Sequence, residues 1–482
     1  MTRTLSDERL AEAAGVVPSE RQLRWQEREF TAFVHFGMNT MTDREWGLGH
    51  EDPALFDPAD VDVDQWMREI RAGGMRGVIL TAKHHDGFCL WPSVHTSHTV
   101  AASPWRAGAG DLVRETAEAA RRHDLAFGVY LSPWDRTEAR YGSGRAYDDF
   151  FVAQLTELLT GYGPISTVWL DGANGEGPDG DVQLYDWDRY YEVVRRLQPD
   201  AVISVCGPDV RWCGNEAGHT RAEEWSVVPA SLRDAERIAS RSQRSDDGAF
   251  SRLVRSDEDD LGSREALAAT DDDLVWYPAE VNTSIRPGWF HHESEDAQVR
   301  DAEELFEIYR RSVGGNSGFL LNIPPTRAGV FAAPDVAVLR RLGGLIAELD
   351  ERDIAAAASS TAGGEPAVLP TRDEPWLAEP GAVLRLTWPE AVEIDGVVLA
   401  EDIAHGQRID EVVIDAVVDG GSRVELARAA SIGYRRILDL PVVSVLALEV
   451  RVVSARGPVR VSSVGALAPS VARGPEAARG ER

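Results

Sequence analysis

Lysine is almost absent from this sequence, because Lys83 is the only lysine among 482 residues. A Schiff base on a lysine amine is therefore excluded at every position except 83. Cysteine is scarce as well. Cys89, Cys206 and Cys213 form no C-x-x-C pair and no even set, which indicates neither a disulfide framework nor a zinc ribbon.

The chain also lacks a net positive charge and long apolar runs. The formal net charge is -30, and a chain this acidic without a basic stripe is expected to bind no nucleic acid. No run of eighteen apolar residues occurs, so no membrane span is expected. The first 25 residues lack the apolar region of a signal peptide, which predicts a cytoplasmic location.

What the chain does contain is an alternation of strand and helix patterns from about residue 30 to residue 347. Amphipathic segments such as "DVDQWMREIRAGG" and "AGDLVRETAEAARRHD" separate short apolar runs, and Asp111 is a predicted N-cap. The runs predicted to be strands are "FTAFVHF", "RGVILTA", "AFGVYLS", "STVWLDG", "AVISVC", "LVWYPAE" and "GFLLNIP". This alternation predicts an α/β fold, a (β/α)8-like barrel, rather than a doubly wound sheet, since no phosphate-binding glycine motif follows a strand.

The predicted domains are a barrel over residues 1–352, an antiparallel β-sandwich of the galactose-binding-like kind over 353–470, and a disordered tail over 471–482. The stretch "AAAASSTAGGEP" resembles a linker, and short alternating runs with regularly spaced turns follow it, as is typical of a sandwich. The polar, acid-rich stretch 239–273 is predicted to be a surface excursion between late strands.

Residues whose side chains can bind a ligand or take part in catalysis follow the predicted barrel strands. In such barrels the active site lies at the carboxyl ends of the strands. They are His35, Glu45, Trp46, His84, His85, Trp134, Trp169, Asp171, Trp212, Glu216, Glu280, Arg286 and Trp289. Taken singly, each is more often a helix cap, a core residue or a solvated side chain than a functional one. Together, tryptophans, imidazoles and carboxylates at one rim suit a sugar, whose ring packs on aromatic faces and whose hydroxyls need directional hydrogen bonds.

Several of these blocks resemble glycoside hydrolase family 29, the α-L-fucosidases. The matching blocks are "FVHFGMNT", "EWG", "ILTAKHHDGFCLWPS", "GVYLSPWD", "VWLDGANGEG" and "GFLLNIPP". Others resemble the subgroup that prefers α-1,3/1,4-linked fucose on branched, Lewis-type glycans, in which a β-sandwich follows the barrel. They are "RWCGNEAG", "WYPAEVNTSIRPGWF", "DLGSREAL" and "ASIGYRRI".

The resemblance implies a retaining double displacement on a terminal α-L-fucose of a fucosylated oligosaccharide, with no cofactor and no metal. Asp171 matches the nucleophile and Glu216 the general acid/base, with Glu280 as the rival for the second role. The positions that match fucose-binding residues are His35, Glu45, Trp46, His84, His85, Tyr130, Trp169, Arg286 and Trp289.

Three alternatives remain open at this point. The linkage preference could be broad or for 1,2- or 1,6-linked fucose. His84, His85 and an aspartate could hold zinc, although adjacent strand residues point to opposite faces, so both rings reach one ion only if the backbone bends. The chain could also be a fucose-binding protein without activity, but both carboxylates of a glycosidase are present.

Overall fold

A computed structural model of the protein describes residues 6–235 and 260–470. Within these ranges the first part of the chain forms an eight-stranded parallel sheet that is rolled into a barrel. The strands of this sheet are β1 (Phe30–Val34), β2 (Gly77–Lys83), β3 (Ala126–Leu131), β4 (Thr167–Leu170), β5 (Val202–Val205), β6 (Arg211–Trp212), β9 (Ala279–Ser284) and β10 (Gly318–Asn322). Their order is β5-β4-β3-β2-β1-β10-β9-β6, and a single parallel bridge between Ser204 and Val210 joins the two ends. The predicted barrel is confirmed.

The described helices of this part are α1 (Asp7–Gly15), α2 (Glu20–Arg28), α3 (Met38–Thr42), α4 (Val63–Ala72), α5 (Leu112–Arg122), α6 (Arg145–Gly161), α7 (Trp187–Leu197), α8 (Arg264–Ala268), α9 (Ala302–Ser312) and α10 (Ala333–Glu351). Local sequence sets their ends. Asp111 caps α5 by accepting the backbone N–H of Arg114 at 2.9 Å, as predicted. Gly73 and Gly74 of "RAGG" directly follow the last residue of α4, a common position for glycine at the end of a helix.

The region around β6 departs from a regular (β/α)8 barrel, and one strand predicted there was wrong. The run at 274–280 was expected to be a single strand, but its first half forms β8 (Leu274–Trp276), which pairs with β7 (Val227–Pro229) outside the barrel. Only its last two residues enter β9. The two-residue strand β6 was not predicted, and Glu216 therefore follows β6 and not β5.

The second part is an antiparallel β-sandwich with its own apolar core, which confirms the predicted fold class. Its strands are β11 (Ser359–Ala362), β12 (Glu365–Ala367), β13 (Trp376–Ala378), β14 (Val383–Glu401), β15 (Ile409–Val417), β16 (Arg423–Ala429), β17 (Arg436–Ala455) and β18 (Val459–Leu467). The stretch expected to be a linker instead forms a 3-10 turn and the hairpin β11–β12. Most of the excursion predicted at 239–273, and the tail predicted at 471–482, lie outside the described residues.

The sandwich packs on the barrel through backbone and side-chain hydrogen bonds. Ile437 N donates to Gly314 O at 2.8 Å, and Ser226 N donates to Gln407 Oε1 at 2.8 Å. Gln407 is completely buried, so this contact is part of the protein interior. The helices of the described residues include none that is long and apolar enough to cross a lipid bilayer.

Candidate active site

A cavity opens at the carboxyl ends of the barrel strands, where the sequence places the polar residues. Nine of the residues predicted to be catalytic or to bind fucose line it: His35, Trp46, His84, His85, Tyr130, Trp169, Asp171, Glu216 and Trp289. They lie on β3 and β4 and in the segments after β1, β2, β4, β6 and β9, so the barrel brings together side chains that are far apart in sequence. The lining also includes Phe33, Val205, Trp212 and Asn282.

Asp171 follows β4 directly and is the central carboxylate of the cavity. Its Oδ1 accepts the backbone N–H of Ala173 at 2.6 Å, and its Oδ2 accepts the hydroxyl of Tyr130 at 3.1 Å. The side chain is 22 % exposed, so it remains accessible to a ligand. Burial raises the pKa of Asp171 above its ordinary value, and these two donors oppose that rise.

Glu216 borders the same cavity from the loop that follows β6. Its neighbour Asn215 is completely buried and holds this loop in shape. The Asn215 carboxamide oxygen accepts the backbone N–H groups of Ala217 and His219, each at 3.1 Å, and its amide donates to the His219 carbonyl at 3.0 Å. A second carboxylate is thus fixed on the cavity wall by a strand other than the one that carries Asp171.

His84 and His85 both border the cavity although they are adjacent in sequence. The pairing between β2 and β3 shifts register between Thr81 and Lys83, which is the geometry of a β-bulge. A turn then follows, with Gly87 N donating to His84 O at 3.0 Å. The backbone therefore bends at this point, and the two ring centroids lie only 4.1 Å apart.

Aromatic rings form much of the remaining wall. Trp46 stands edge-on to His85, with ring centroids 5.6 Å apart, and edge-on to Trp134 at 5.4 Å. Phe33 packs against Trp169 and Trp289, with ring centroids 5.1 and 6.3 Å apart. The cavity therefore offers apolar ring surface between its polar groups, the combination expected for a sugar with an apolar face.

Glu45, a predicted sugar-binding residue, lies behind this wall and does not line the cavity. Its two carboxylate oxygens accept the backbone N–H groups of Trp289 at 2.7 Å and Phe290 at 2.9 Å. It also binds the His292 ring at 2.9 Å, and the other nitrogen of that ring lies 2.6 Å from Asp43. Glu45 thus joins the loop that carries Trp46 to the loop that carries Trp289.

Glu280 is likewise buried beneath the cavity, because it is the second residue of β9 and lies four residues before the carboxyl end of that strand. Its Oε1 accepts the indole N–H of Trp169 at 2.8 Å. Burial raises the pKa of Glu280 to about 7. The geometry supports Glu216, rather than Glu280, as the carboxyl that reaches a ligand.

Arg286 is the third residue, after Glu45 and Glu280, that was predicted to be catalytic or to bind fucose and does not line the cavity. It is fully buried, and its Nε and Nη2 donate to the two carboxylate oxygens of Asp335 at 3.0 and 2.9 Å. Its Nη1 lies 2.8 Å from Asp296. The guanidinium therefore anchors the loop after β9 to the start of α10, and its contact with the site is indirect.

The zinc alternative needs three ligands around one point. Among the residues of 6–235 and 260–470, no group of three His, Cys, Asp or Glu side chains is arranged to hold a metal ion. One ring nitrogen of His84 and one of His85 are already engaged with protein groups, namely Asn39 and Ser132.

Some residues of the site were missed by sequence reasoning. Asn282 lines the cavity and accepts the indole N–H of Trp212 at 3.1 Å, but it lies on the polar strand β9. Asn322 binds His35 and is the last residue of β10. Its position after the apolar run "GFLL" is the signal that could have found it, since the polar residues at the other strand ends were found in that way.

Comparison with known proteins places this geometry in a family. The family model described as Alpha-L-fucosidase matches residues 12–350, which include every residue that lines the cavity. Alpha-L-fucosidase 1 of Arabidopsis thaliana is 38 % identical over an alignment of 469 residues, which covers 93 % of this chain and 87 % of that protein.

Solved structures agree with the sequence comparison. A glycoside hydrolase 29 family member from an unknown rumen bacterium has a TM-score of 0.79 and 34 % identity, with 97 % of this chain and 80 % of the other covered. A mutant of the family 29 fucosidase of Ruminococcus gnavus in complex with fucose has a TM-score of 0.80 and 25 % identity, covering 98 % and 97 % of the two chains.

Proposed function

The chain belongs to the α-L-fucosidase family of glycoside hydrolases, and from this premise we propose that it releases terminal α-L-fucose by a retaining mechanism with Asp171 as nucleophile and Glu216 as general acid/base. The observation that carries the proposal is the position of both carboxyl groups on one cavity, from two different strands. A retaining glycosidase needs this arrangement, because one carboxyl attacks the anomeric carbon while the other protonates the leaving oxygen.

In the first step an oxygen of Asp171 forms a bond to the anomeric carbon, and the bond from that carbon to the aglycone oxygen breaks. Glu216 gives its proton to the departing oxygen. In the second step Glu216, now a carboxylate, takes a proton from water, whose oxygen attacks the anomeric carbon and releases Asp171. Two inversions return the α configuration, so α-L-fucose is the product.

Other residues of the cavity hold the sugar in this proposal. His35, His84 and His85 take its hydroxyl groups, and Trp46, Trp169 and Trp289 pack against its ring. Tyr130 acts through its hydrogen bond to Asp171. Glu45, Glu280 and Arg286 serve as positioning residues, because the groups they bind carry or support the cavity wall.

The proposed substrates are α-1,3- and α-1,4-linked fucosides of branched, Lewis-type glycans. Support comes from "RWCGNEAG", the segment that presents Glu216, and from the sandwich that follows the barrel, since both resemble that subgroup. A side-by-side assay on Lewis-type trisaccharides, a 1,2-linked fucoside and a 1,6-linked fucoside tests this preference. Equal rates on all of them would replace it with a broad specificity.

The mechanism is tested by azide rescue on an aryl α-L-fucoside. Asp171→Gly should lose hydrolysis, and azide should restore turnover by attacking the face that Asp171 vacates, which gives a β-L-fucosyl azide. In Glu216→Ala, azide should instead intercept the covalent intermediate and give the α-azide. Full activity of Asp171→Asn would refute the nucleophile assignment. Absence of hydrolysis by the wild type, with fucose still bound, would indicate a binding protein.

A further inference from the structure

The three histidines of the cavity differ in the hydrogen bonds that their rings make to side chains outside the cavity lining. A neutral imidazole carries one proton, and the hydrogen bond made by one ring nitrogen decides whether the other nitrogen is a donor or an acceptor. Each of these rings has one nitrogen engaged by a polar side chain that does not line the cavity: Asn322, Ser132 and Asn39. The polarity of the nitrogen left for the ligand can therefore be derived.

His35 is fixed as a donor at Nδ1. The amide nitrogen of Asn322 donates to the Trp289 carbonyl at 2.8 Å and to Ser284 Oγ at 2.9 Å, which uses both of its hydrogens. The oxygen of Asn322 then lies 2.8 Å from His35 Nδ1, and an amide oxygen can only accept. Nδ1 of His35 therefore carries the proton, and Nε2 presents a lone pair.

His85 is fixed in the same sense. The hydroxyl of Ser132 donates its single hydrogen to the Trp134 carbonyl at 2.7 Å, so its oxygen accepts from His85 Nδ1 at 2.8 Å. Nε2 of His85 then presents a lone pair 4.0 Å from Oδ2 of Asp171. A hydroxyl group that donates to His85 at this point lies beside the carboxylate of Asp171.

His84 has the opposite polarity. The amide nitrogen of Asn39 donates one hydrogen to the Glu45 carbonyl at 2.8 Å and faces His84 Nδ1 at 3.2 Å with the other. Exchanging the amide oxygen and nitrogen would place two acceptors against each other at Glu45, so the orientation of Asn39 is determined. Nδ1 of His84 accepts, and Nε2 carries the proton.

We infer that Asn322, Ser132 and Asn39 are positioning residues that hold His35, His85 and His84 as a fixed acceptor–acceptor–donor set for the hydroxyl groups of a neutral sugar. The sugar part of this inference rests on the proposed function, whereas the ring polarities do not. Burial keeps all three rings neutral, because it lowers the pKa of His35 and of His85 to about 3 and that of His84 well below its ordinary value.

A neutral set of this kind has a consequence for ligand choice. None of the three rings offers a positive charge, while Asp171 and Glu216 are acidic, so an anionic sugar gains no ion pair from the imidazoles. A hydroxyl can donate to one group and accept from another, and it is therefore the ligand group that satisfies both kinds of nitrogen. The set recognises a polyhydroxylated, uncharged ring.

The experiment measures the ring polarities directly and without sugar. Protein labelled with ¹⁵N in histidine is studied by NMR spectra that correlate ring carbon-bound protons with both ring nitrogens, which distinguish protonated from unprotonated nitrogen. His35→Gln, His84→Gln and His85→Gln assign the three signals. In the wild type we expect protonated Nδ1 in His35 and His85 and protonated Nε2 in His84. The reverse assignment in any of the three rings overturns the inference.

Two matched variants test the cause. Asn39→Asp places an acceptor against the accepting nitrogen of His84, so the His84 Nδ1 signal should change to protonated and kcat/KM for an aryl fucoside should fall about tenfold or more. Asn322→Asp also adds a buried carboxyl but still accepts from His35, so the Nδ1 of His35 should remain protonated. If Asn39→Asp leaves the His84 signals unchanged, Asn39 does not set the ring.

The two proposals fail in different ways. Wild-type protein with the expected ring signals but no hydrolysis of any fucoside refutes the proposed function alone. Active wild-type protein with other ring signals refutes the inference alone. If Asn39→Asp does not fold, the wild-type spectra still decide the polarities, and Ser132→Ala provides the second variant, in which the protonated Nδ1 signal of His85 should be lost or shifted.

Discussion

The indole of Trp169 donates a 2.8 Å hydrogen bond to the carboxyl group of Glu280, so a wall residue of the cavity is supported by a carboxyl buried beneath it. The arrangement separates the two candidates for the acid/base role. Glu280 supports a side chain that contacts the ligand in our proposal, whereas Glu216 faces the cavity itself. Burial raises the pKa of Glu280 to about 7, so a raised pKa alone would favour Glu280 for this role, whereas the position of the two carboxyls favours Glu216.

The first prediction compares the same substitution at these two positions. Glu280→Gln keeps an oxygen that accepts the Trp169 N–H, and it removes a buried carboxyl whose ionisation is unfavourable, so activity should stay within a few-fold of the wild type. Glu216→Gln removes the proposed acid/base. It should lower kcat/KM by about 10²–10⁴ on a natural glycan, and much less on an aryl fucoside with a good leaving group.

The measurement is a comparison of kcat/KM for both variants on the two kinds of substrate. If Glu280→Gln, and not Glu216→Gln, loses activity mainly on the substrate with the poorer leaving group, the roles must be exchanged. Thermal unfolding of Glu280→Gln provides a further check. The folded state raises the pKa of Glu280 above 4.5, so ionisation destabilises the wild type as pH rises through about 7, and the variant should gain stability relative to it there.

Most of the barrel could be predicted from sequence because its strands are short apolar runs buried on both faces. β2, with all seven residues buried, is an example. The prediction was wrong where a strand is polar. β9 reads Ala-Glu-Val-Asn-Thr-Ser, and three of its side chains bind partners in the barrel interior: Glu280 binds Trp169, Asn282 binds Trp212 and Ser284 binds Asn322. β9 is polar because its side chains bind these partners. A search for apolar runs therefore could not predict this strand.

The residues of the site, like the strands, could be predicted only in part. The rule that functional residues follow barrel strands located Asp171 and the histidines, because each comes immediately after an apolar run. The rule could not tell which of the two carboxyls faces the cavity, because Glu280 lies low on β9 whereas Glu216 lies in the loop after β6. It also passed over Ser132 and Asn39, whose importance lies in the hydrogen bonds they make to histidines distant in sequence.

The second prediction concerns the hydrogen bond from Tyr130 to Asp171. Tyr130→Phe removes a donor that lowers the pKa of Asp171, so the pKa of Asp171 should rise. A nucleophilic carboxylate loses activity as pH falls through its pKa, and the acid limb of kcat/KM should therefore move to higher pH. At the optimum we expect a loss of about tenfold, equivalent to one hydrogen bond.

The pH profile of an aryl fucoside reaction checks this prediction. Tyr141→Phe is the matched control, because the Tyr141 hydroxyl donates to Asn174 at 3.0 Å and does not bind Asp171. An acid limb that stays in place in Tyr130→Phe would show that Tyr130 does not influence the ionisation of Asp171.

The third prediction uses the pH dependence of stability. His292 lies between Glu45 and Asp43, and these carboxylates raise the pKa of His292 to about 9, with the hydrogen bond to Glu45 as the largest cause. A histidine whose folded pKa is raised stabilises the protein fully below its unfolded value of about 6.5. This contribution should be lost as pH rises through about 9.

Urea unfolding of the wild type and of His292→Gln between pH 6 and pH 10 measures this effect. The difference in the free energy of unfolding should be largest near pH 6 and should disappear at the alkaline end. His405→Gln is the control, since His405 is 52 % exposed and binds Asp402 on the sandwich surface. A difference for His292→Gln that does not change with pH would contradict a charged His292.

The fourth prediction concerns the single lysine. Lys83 Nζ lies 2.7 Å from Asp135 Oδ2, with 0 % and 2 % of the two side chains exposed, and it also donates to Gln154 at 3.0 Å. Lys83→Met would leave the Asp135 carboxylate buried without its counter-charge, and breaking a buried pair in this way costs about 3–5 kcal/mol. Arg68→Met, which removes an exposed pair with Asp62, should cost less than about 1 kcal/mol.

The double variant Lys83→Met/Asp135→Asn separates charge from packing. The Oδ1 of Asp135 accepts the backbone N–H groups of Thr137 and Glu138 at 3.0 Å each, and the amide oxygen introduced by Asp135→Asn can still accept them. Most of the stability lost in Lys83→Met should therefore return, as measured by the free energy of unfolding in urea. If the double variant is as unstable as Lys83→Met, the loss arises from packing of the lysine side chain against Phe150 and Phe151. The buried pair would then not explain why one lysine is kept in a chain that otherwise uses arginine.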